Sequence, residues 1–193
     1  MNNIRTLAVF CGSSNGKNPI YEMTARQLGE AMSKKCLGLV YGGGNRGLMG
    51  SVAQSLYQRG GNVIGVLPEA LNRPDVRMHQ VEDTLIIASS MHERKQTMYD
   101  LADAFVALPG GIGTFEEILE VYTWLQLGYH HKPVALLNVA GFYDQLLAFL
   151  QHSVDEGFLK QDHLHALIVE QDVESLLARL VTWNADLSDK LRQ

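Results

Sequence analysis

Cysteine is scarce in this chain, with only Cys11 and Cys36 among 193 residues. Two cysteines cannot build a disulfide framework, and such scarcity is typical of proteins from a reducing compartment. Long apolar runs are absent as well: none reaches the ~20 residues that span a bilayer, and none of signal-peptide length follows the first methionine. The sequence therefore predicts a soluble, cytoplasmic protein with no membrane partner.

Positive charge is also in short supply, because 16 lysines and arginines face 21 aspartates and glutamates, for a formal net charge of −5. Proteins that bind nucleic acid generally carry a basic surface. We therefore expect no nucleic-acid partner, although the balance allows a local basic pocket. Hydrophobic residues make up 46% of the chain, which is ordinary for a globular protein with a substantial core. We expect residues 1–193 to form a single domain.

Short apolar runs recur along the chain and end in glycine, serine or proline. They do not alternate with polar residues, as expected for strands that are buried on both faces of a parallel sheet. The predicted strands span residues 7–11, 37–41, 63–67, 85–88, 105–108, 134–139 and, as a late addition, 167–169. Segments with helical spacing lie between them, at residues 20–35, 48–59, 91–102, 114–127 and 142–152. This alternation predicts an α/β fold, a Rossmann-like doubly wound parallel sheet flanked by helices.

Three glycine-bearing turns follow predicted strands, at residues 11–14, 41–50 and 108–114. In open α/β sheets ligands bind beyond the carboxyl ends of the strands, and glycine lets backbone amides approach an anion there, beside the positive end of a helix dipole. The second turn matches G-x-G-x-x-G, a weak signal alone, and no clear acidic residue follows at the spacing of a ribose-binding residue. The turns predict an anion site; the alternative is that their glycines only allow tight turns and close helix–sheet contacts.

Charged residues occur at two predicted helix starts. The segment 114–117, Thr-Phe-Glu-Glu, reads as a capping box headed by its threonine, yet the same geometry places Glu117 beside the glycine turn, where a carboxylate would repel an anion. The segment 90–93 predicts another capping box, which puts Arg94 and Lys95 in the first turns of a helix, where the dipole disfavours cations. Either a solvated face or a negative partner, such as a phosphate or a catalytic carboxylate, accounts for these cations, and we favour the negative partner.

Together these motifs resemble the LOG ("Lonely guy") family of cytokinin-activating proteins. Residues 109–117 match its signature P-G-G-x-G-T-x-x-E, and residues 91–95 match its second signature, M-H-x-R-K. The resemblance also covers residues 10–14, 41–50 and 126–133, in the right order. It implies a phosphoribohydrolase that converts cytokinin riboside 5′-monophosphates to free base and ribose 5-phosphate. Many members are labelled lysine decarboxylases, but no lysine here lies in a setting that suggests a pyridoxal phosphate Schiff base.

The resemblance also implies functional residues and a homodimer with sites near the interface. Arg94 and Glu117 correspond to the family's catalytic pair. The substrate-binding residues predicted by the resemblance and the glycine turns are Gly12, Ser13, Gly43, Gly44, Lys95, Gly110, Gly111, Ile112, Gly113, Thr114, Glu116 and Thr123. One departure concerns a binding glutamate that plant members place shortly after the proline of the third strand. Here either Glu69 replaces it by a shift of register or the contact is absent. Glu69 lies in an irregular stretch, 68–83, that reads as a long loop, either functional or a surface connection.

Cleavage of an N-glycosidic bond passes through an oxocarbenium-like sugar, so we expect Glu117 to stabilise positive charge. It would either orient a water or form a transient glycosyl link. Backbone amides of the third glycine turn would hold the 5′-phosphate, and Arg94 would keep Glu117 ionised. His92 is a candidate acid by residue type only, and a structural or solvent-facing role is preferred for it.

No cofactor and no metal are predicted. The only local histidine clusters, His130–His131 and His163–His165, lack a well-spaced third ligand and read as surface residues. The main alternative function is a nucleotide- or molybdenum-cofactor-binding carrier or sensor without hydrolytic activity, which would not need both Arg94 and Glu117. A nucleic-acid processing protein of related fold is disfavoured by the acidic charge balance.

Overall fold

Strands and helices alternate along the chain in the computed structural model, which describes residues 2–73, 76, 80–185 and 187. The strands in this part of the chain are β1 (Thr6–Phe10), β2 (Gly38–Tyr41), β3 (Val63–Pro68), β4 (Thr84–Ala88), β5 (Ala104–Ala107), β6 (Val134–Leu137) and β7 (Ile168–Glu170). The helices are α1 (Pro19–Lys34), α2 (Gly47–Tyr57), α3 (Met91–Leu101), α4 (Ile112–Gln126), α5 (Asp144–Asp155), α6 (Gln161–Ala166) and α7 (Val173–Thr182). Short 3₁₀ turns span Glu69–Leu71 and Val139–Gly141.

The strands form one parallel sheet in the order β4-β3-β2-β1-β5-β6-β7. After β4 the chain returns from the edge to the centre of the sheet, where β5 pairs directly with β1. In this pairing Leu7 lies opposite Ala104, and Phe10 lies opposite Ala107. The connections leave β1 and β5 in opposite directions, so the topological switch point, where such folds bind ligands, lies between these two strands.

Two hydrophobic cores cover the two faces of the sheet. Leu7 and Val9 of β1 contribute to a core shared with α1, α2 and α7. Ala8 and Phe10, which point to the opposite face because side chains alternate along a strand, contribute to a core shared with α3, α4 and α6. Central strands buried on both faces explain why their sequences are continuous apolar runs.

The predicted α/β doubly wound fold is confirmed, and every predicted strand and helix is present with its ends shifted by at most three residues. Two helices, α6 and α7, were not predicted. The signal for α7 was nonetheless present, since Asp172 caps its first turn through a bond from the Ser175 amide, and Leu176 and Leu180 are buried at helical spacing. Among the described residues, no helix is long and apolar enough to cross a membrane.

Candidate active site

A cavity of about 410 Å³ lies at the carboxyl edge of the sheet, beside the switch point. All three predicted glycine turns contribute to it. Its described lining residues are Cys11, Gly12, Ser13, Gly42, Gly44, Met49, Leu67, Leu71, Val76, Met91, Arg94, Gly111, Ile112, Gly113, Thr114 and Glu117. The lining therefore combines backbone-rich turns, an apolar wall and one pair of opposite charges.

Backbone bonds hold the three turns together. The Gly12 amide donates to the Pro109 carbonyl at 3.0 Å, and the Gly12 carbonyl accepts from the Leu48 amide at 3.0 Å. Gly110 fits here only without a side chain, because a Cβ would lie 2.1 Å from the Thr114 hydroxyl oxygen and 2.9 Å from the Gly12 nitrogen. The glycines thus allow the turns to pack closely, and they also bring backbone amides to the cavity, so the two interpretations given for them do not exclude each other.

Helix α4 begins at the third turn. Its N-cap is Gly111, which has no side chain to make a capping bond, and the helix starts at Ile112. The predicted capping box headed by Thr114 is therefore wrong, because Thr114 already lies inside the first helical turn, where it is buried. The first amides of a helix have no intrahelical acceptor and carry the positive end of its dipole. The start of α4 thus presents unsatisfied donors to the cavity.

Helix α3 supplies the cation of the cavity. The predicted N-cap is confirmed, since the Ser90 hydroxyl accepts from the Glu93 amide at 3.1 Å. Arg94 then lies in the first turn, buried under the second glycine turn; its Nε donates to the Val66 carbonyl at 3.1 Å. A Cβ at Gly42 would lie 2.5 Å from Arg94 Nη2. The strand end and the glycine therefore fix the guanidinium in one orientation.

Arg94 and Glu117 form an ion pair across the two helices. Arg94 Nη1 donates to Glu117 Oε1 at 2.6 Å, and the two side chains are only 8% and 12% exposed. Burial raises the pKa of the Glu117 carboxyl above its usual range, although the charge and hydrogen bond of Arg94 oppose the shift. The expected negative partner of the cations is thus a carboxylate of the cavity itself, and Arg94 offsets the repulsion that Glu117 would exert on an anion.

A second set of charges adjoins this pair on the outer side of the two helices. Lys95 bonds to Glu116 and lies 3.0 Å from Glu120, and the Tyr99 hydroxyl donates to Glu120. Lys95 is buried and is not part of the cavity lining given above. Two of the predicted substrate-binding residues, Lys95 and Glu116, therefore bond to each other in this structure.

The other predicted site residues are divided between the cavity and its surroundings. Gly43 lies behind the lining with a positive φ of 73°, where a Cβ would meet Leu67 at 2.9 Å. Gly110 lines a neighbouring cavity of about 280 Å³, which shares Gly12, Ser13 and Gly111 with the first. Thr123 is exposed on α4, and its hydroxyl donates to the Leu119 carbonyl at 2.7 Å.

Two further candidates lie outside the cavity lining. His92 is exposed at the start of α3, in keeping with the preferred solvent-facing role, and Glu69 is exposed in a 3₁₀ turn. Leu71 and Val76 of the predicted loop 68–83 do contribute to the lining, whereas residues 74, 75 and 77–79 of that loop lie outside the described residues.

The apolar wall of the cavity was missed by sequence analysis. Met49 lies in the first turn of α2, Leu67 near the end of β3, and Met91 at the first residue of α3. The usable signal was position, because side chains at the carboxyl edge of a parallel sheet face the ligand crevice.

The lining also bears on metal and cofactor chemistry. In the described part of the chain, no group of three histidine, cysteine, aspartate or glutamate residues could hold a metal ion. His163 is 1% exposed, so its prediction as a surface residue is wrong, and His130 is half-buried with Nε2 2.8 Å from the Val121 carbonyl. No lysine lines the described cavity wall, which gives pyridoxal phosphate no Schiff-base partner there.

Comparison with known proteins identifies the family. A family model described as "Possible lysine decarboxylase" matches residues 49–180. A probable cytokinin riboside 5′-monophosphate phosphoribohydrolase of Oryza sativa subsp. japonica is 48% identical over 176 residues, 91% of this chain and 77% of that protein. A cytokinin riboside 5′-monophosphate phosphoribohydrolase of Arabidopsis thaliana is 43% identical over 185 residues, 96% of this chain and 85% of that protein. The chain belongs to the LOG family.

Solved structures extend the likeness beyond the LOG family at the level of the fold. The molybdenum cofactor binding protein of Rippkaea orientalis superposes with a TM-score of 0.69 and 21% identity, covering 92% of this chain and 96% of that one. Identity this low supports a shared fold only. The fold therefore does not distinguish an enzyme from a carrier. The predicted distinguishing feature, the presence of both Arg94 and Glu117, belongs to the cavity lining.

Proposed function

We propose that this chain hydrolyses the N-glycosidic bond of nucleoside 5′-monophosphates, adenosine monophosphate and its N6-substituted forms, to free base and ribose 5-phosphate. The observation that carries the proposal is the buried Arg94–Glu117 pair, which lies in a cavity beside the unsatisfied amides that begin α4. The names of the similar phosphoribohydrolases support it.

The start of α4 is the proposed phosphate site. The amides of Ile112, Gly113 and Thr114 would donate to the 5′-phosphate, with Gly12 and Ser13 of the adjoining turn beside them. Glu117 lies five residues after Ile112, the first residue of the helix, which is about 7.5 Å along the helix axis. A ribose 5-phosphate can span that separation, so phosphate binding would place the anomeric carbon near the carboxylate.

Glu117 is the proposed catalytic carboxylate. As the bond between C1′ and the base nitrogen breaks, its electron pair leaves with the base and positive charge develops on the sugar. Glu117 would stabilise this charge and either direct a water to C1′ or bond to it transiently; in both cases water supplies the hydroxyl group of ribose 5-phosphate and a proton goes to the base. Because this role requires the ionised form, the raised pKa of Glu117 predicts that activity is lost on acidification at a higher pH than for an ordinary glutamate.

The other predicted binding residues also belong to the proposal. Gly44 would contact the substrate, whereas Gly43, Gly110 and Thr123 would contribute from positions beside the cavity lining.

We also propose a single domain and a cytoplasmic homodimer. Exposed apolar side chains near the cavity support the dimer, since Ile112 is 81% exposed and Met91 is 50% exposed.

The test is chromatographic detection of free base and ribose 5-phosphate from adenosine monophosphate and its N6-isopentenyl form. Glu117→Gln keeps an acceptor for Arg94 but removes the charge, so we expect turnover to fall by at least about a hundredfold. Glu22→Gln on α1, which removes the same charge at an exposed position, should turn over like the wild type. If the wild type cleaves neither nucleotide but binds both, the carrier or sensor function replaces the hydrolase.

A further inference from the structure

We propose that Lys95 is a positioning residue: it neutralises Glu116 and Glu120, so that Arg94 pairs with Glu117 alone. This deepens the proposed function, on which it rests, and it gives Lys95 a different role from the substrate contact predicted from sequence.

The ammonium group of Lys95 is already engaged by protein groups, which leaves it little capacity to bind a substrate. Its side chain is 10% exposed, bonds to Glu116 and lies 3.0 Å from Glu120 Oε2. Burial lowers the pKa of Lys95, but its hydrogen bonds to the two glutamates outweigh burial and raise the pKa above its usual range. Lys95 is therefore charged, paired twice and outside the described cavity wall.

Without Lys95 the first half of α4 would carry an uncompensated cluster of negative charge. Glu116 and Glu120 are four residues apart on one helix face, where like charges repel, and Glu117 lies between them in sequence. The Tyr99 hydroxyl donates one bond to Glu120, and the Tyr99 ring packs edge-on against Trp124 at 5.0 Å between centroids. Tyr99 thus fixes Glu120, and Glu120 helps to fix Lys95.

The same charges act on the catalytic carboxylate. Among described residues, the charged and titratable groups that interact with Glu117 or its partners are Arg94, Lys95 and Tyr99 from α3, Glu116 and Glu120 from α4, and Cys11 at the end of β1. The positive charge of Lys95 lowers the pKa of Glu117, and the negative charge of Glu116 raises it. Lys95 therefore favours the ionised form of Glu117 directly and by cancelling its neighbour.

The experiment compares the pH dependence of kcat/KM in the wild type, Lys95→Met, Lys95→Arg and the double variant Lys95→Met with Glu116→Gln. In Lys95→Met we expect the acidic limb to move to higher pH, with kcat/KM lower by at least about threefold on that limb and KM within about twofold at higher pH. Lys95→Arg keeps the charge, and the double variant removes Glu116, one of the two carboxylates that lose their lysine in Lys95→Met, so both should move the limb back toward the wild type. Lys34→Met, which removes an exposed lysine paired with Glu30 on α1, is the matched control.

Other results overturn the proposal. A tenfold or larger rise in KM for Lys95→Met, with the acidic limb unmoved and no rescue in the double variant, would make Lys95 a substrate contact. A second readout is independent of turnover: the carboxyl ¹³C signal of Glu117, assigned by its loss in Glu117→Gln, should titrate at higher pH in Lys95→Met than in the wild type. If the wild type releases no base, the proposed function fails, but this titration still tests Lys95; an unchanged titration rejects its role.

Discussion

The helix pair α1–α2 and the helix pair α3–α4 lie on opposite faces of the sheet and are joined by different chemistry. Between α1 and α2 the backbones approach closely, since a Cβ at Gly29 would lie 2.6 Å from the Val52 carbonyl oxygen, and the Ser55 hydroxyl donates to the Arg26 carbonyl at 2.7 Å. Ion pairs near this contact are solvent-exposed, such as Arg26–Glu22 with side chains 50% and 33% exposed. Between α3 and α4, in contrast, Arg94, Lys95 and Glu117 are largely buried, and of the carboxylates that pair with Lys95 only Glu116 is as much as 50% exposed.

This difference separates packing from chemistry. Buried ion pairs contribute little net stability, because desolvation of both charges offsets their attraction. The α1–α2 contact shows how this chain joins two helices where stability alone is required, with small residues and close backbones. The buried charges between α3 and α4 are therefore better explained by the proposed reaction than by folding.

Among the variants that test this comparison, Arg94→Lys is expected to have the largest effect on kcat/KM. A lysine cannot reach both the Val66 carbonyl and Glu117 as the guanidinium does. Loss of one charge-assisted hydrogen bond, about 1.5–3 kcal/mol, should lower kcat/KM roughly ten- to a hundredfold. Arg26→Lys in the exposed pair on α1 should leave it unchanged. Steady-state kinetics measure both, and a loss of less than twofold in Arg94→Lys would show that the forked donor geometry is unnecessary.

A smaller effect is expected from Gly42→Ala, which leaves every charge in place. The new Cβ would meet Arg94 Nη2 at 2.5 Å and displace the guanidinium from Glu117. Misplacement of a catalytic group on this scale should lower kcat/KM roughly tenfold. Gly38→Ala at the other end of the same strand, where the nearest atom is at 3.6 Å, is the matched control. Equal kinetics for the two variants would mean that the turn does not position Arg94.

No change in kcat/KM is expected from Gly29→Val, which addresses the α1–α2 contact. Its side chain would overlap the backbone of α2, and overpacking of this kind costs about 1–3 kcal/mol. We expect the thermal midpoint to fall by several degrees while kcat/KM below the transition stays within twofold. Gln27→Val on the exposed face of α1 should shift the midpoint far less. A catalytic defect in Gly29→Val would show that the two faces are coupled.

Most of the fold followed from the sequence because parallel strands buried on both faces leave an unambiguous pattern. The LOG-family resemblance named the pair at Arg94 and Glu117, and their proximity in the structure is consistent with that assignment. Helix starts were less certain: α4 begins at Ile112 because Gly111 can serve as N-cap without a side-chain bond. Propensity alone placed that role on the nearest threonine.

The partners of Lys95 could not be read from spacing. Its bonds join α3 to α4 across the fold, and the exposed fractions of Glu116 and Glu117, 50% and 12%, differ although the two are adjacent in sequence. Neighbouring helical residues point about 100° apart, which is why helix geometry alone already placed Glu117 beside the glycine turn. Which residue of α3 meets Glu116 depends instead on how α3 and α4 pack together, and that is a property of the tertiary structure.

The pairing of β1 with β5 has a consequence for how the protein acquires activity. Leu7 pairs with Ala104, so the strands that border the cavity come from distant parts of the chain, and the Gly12–Pro109 bond closes the same long loop. Contacts of such high sequence separation require costly loop closure and form slowly. During refolding, the recovery of catalysis should therefore lag behind the recovery of helical circular dichroism, because the cavity is complete only after the two halves of the sheet have joined.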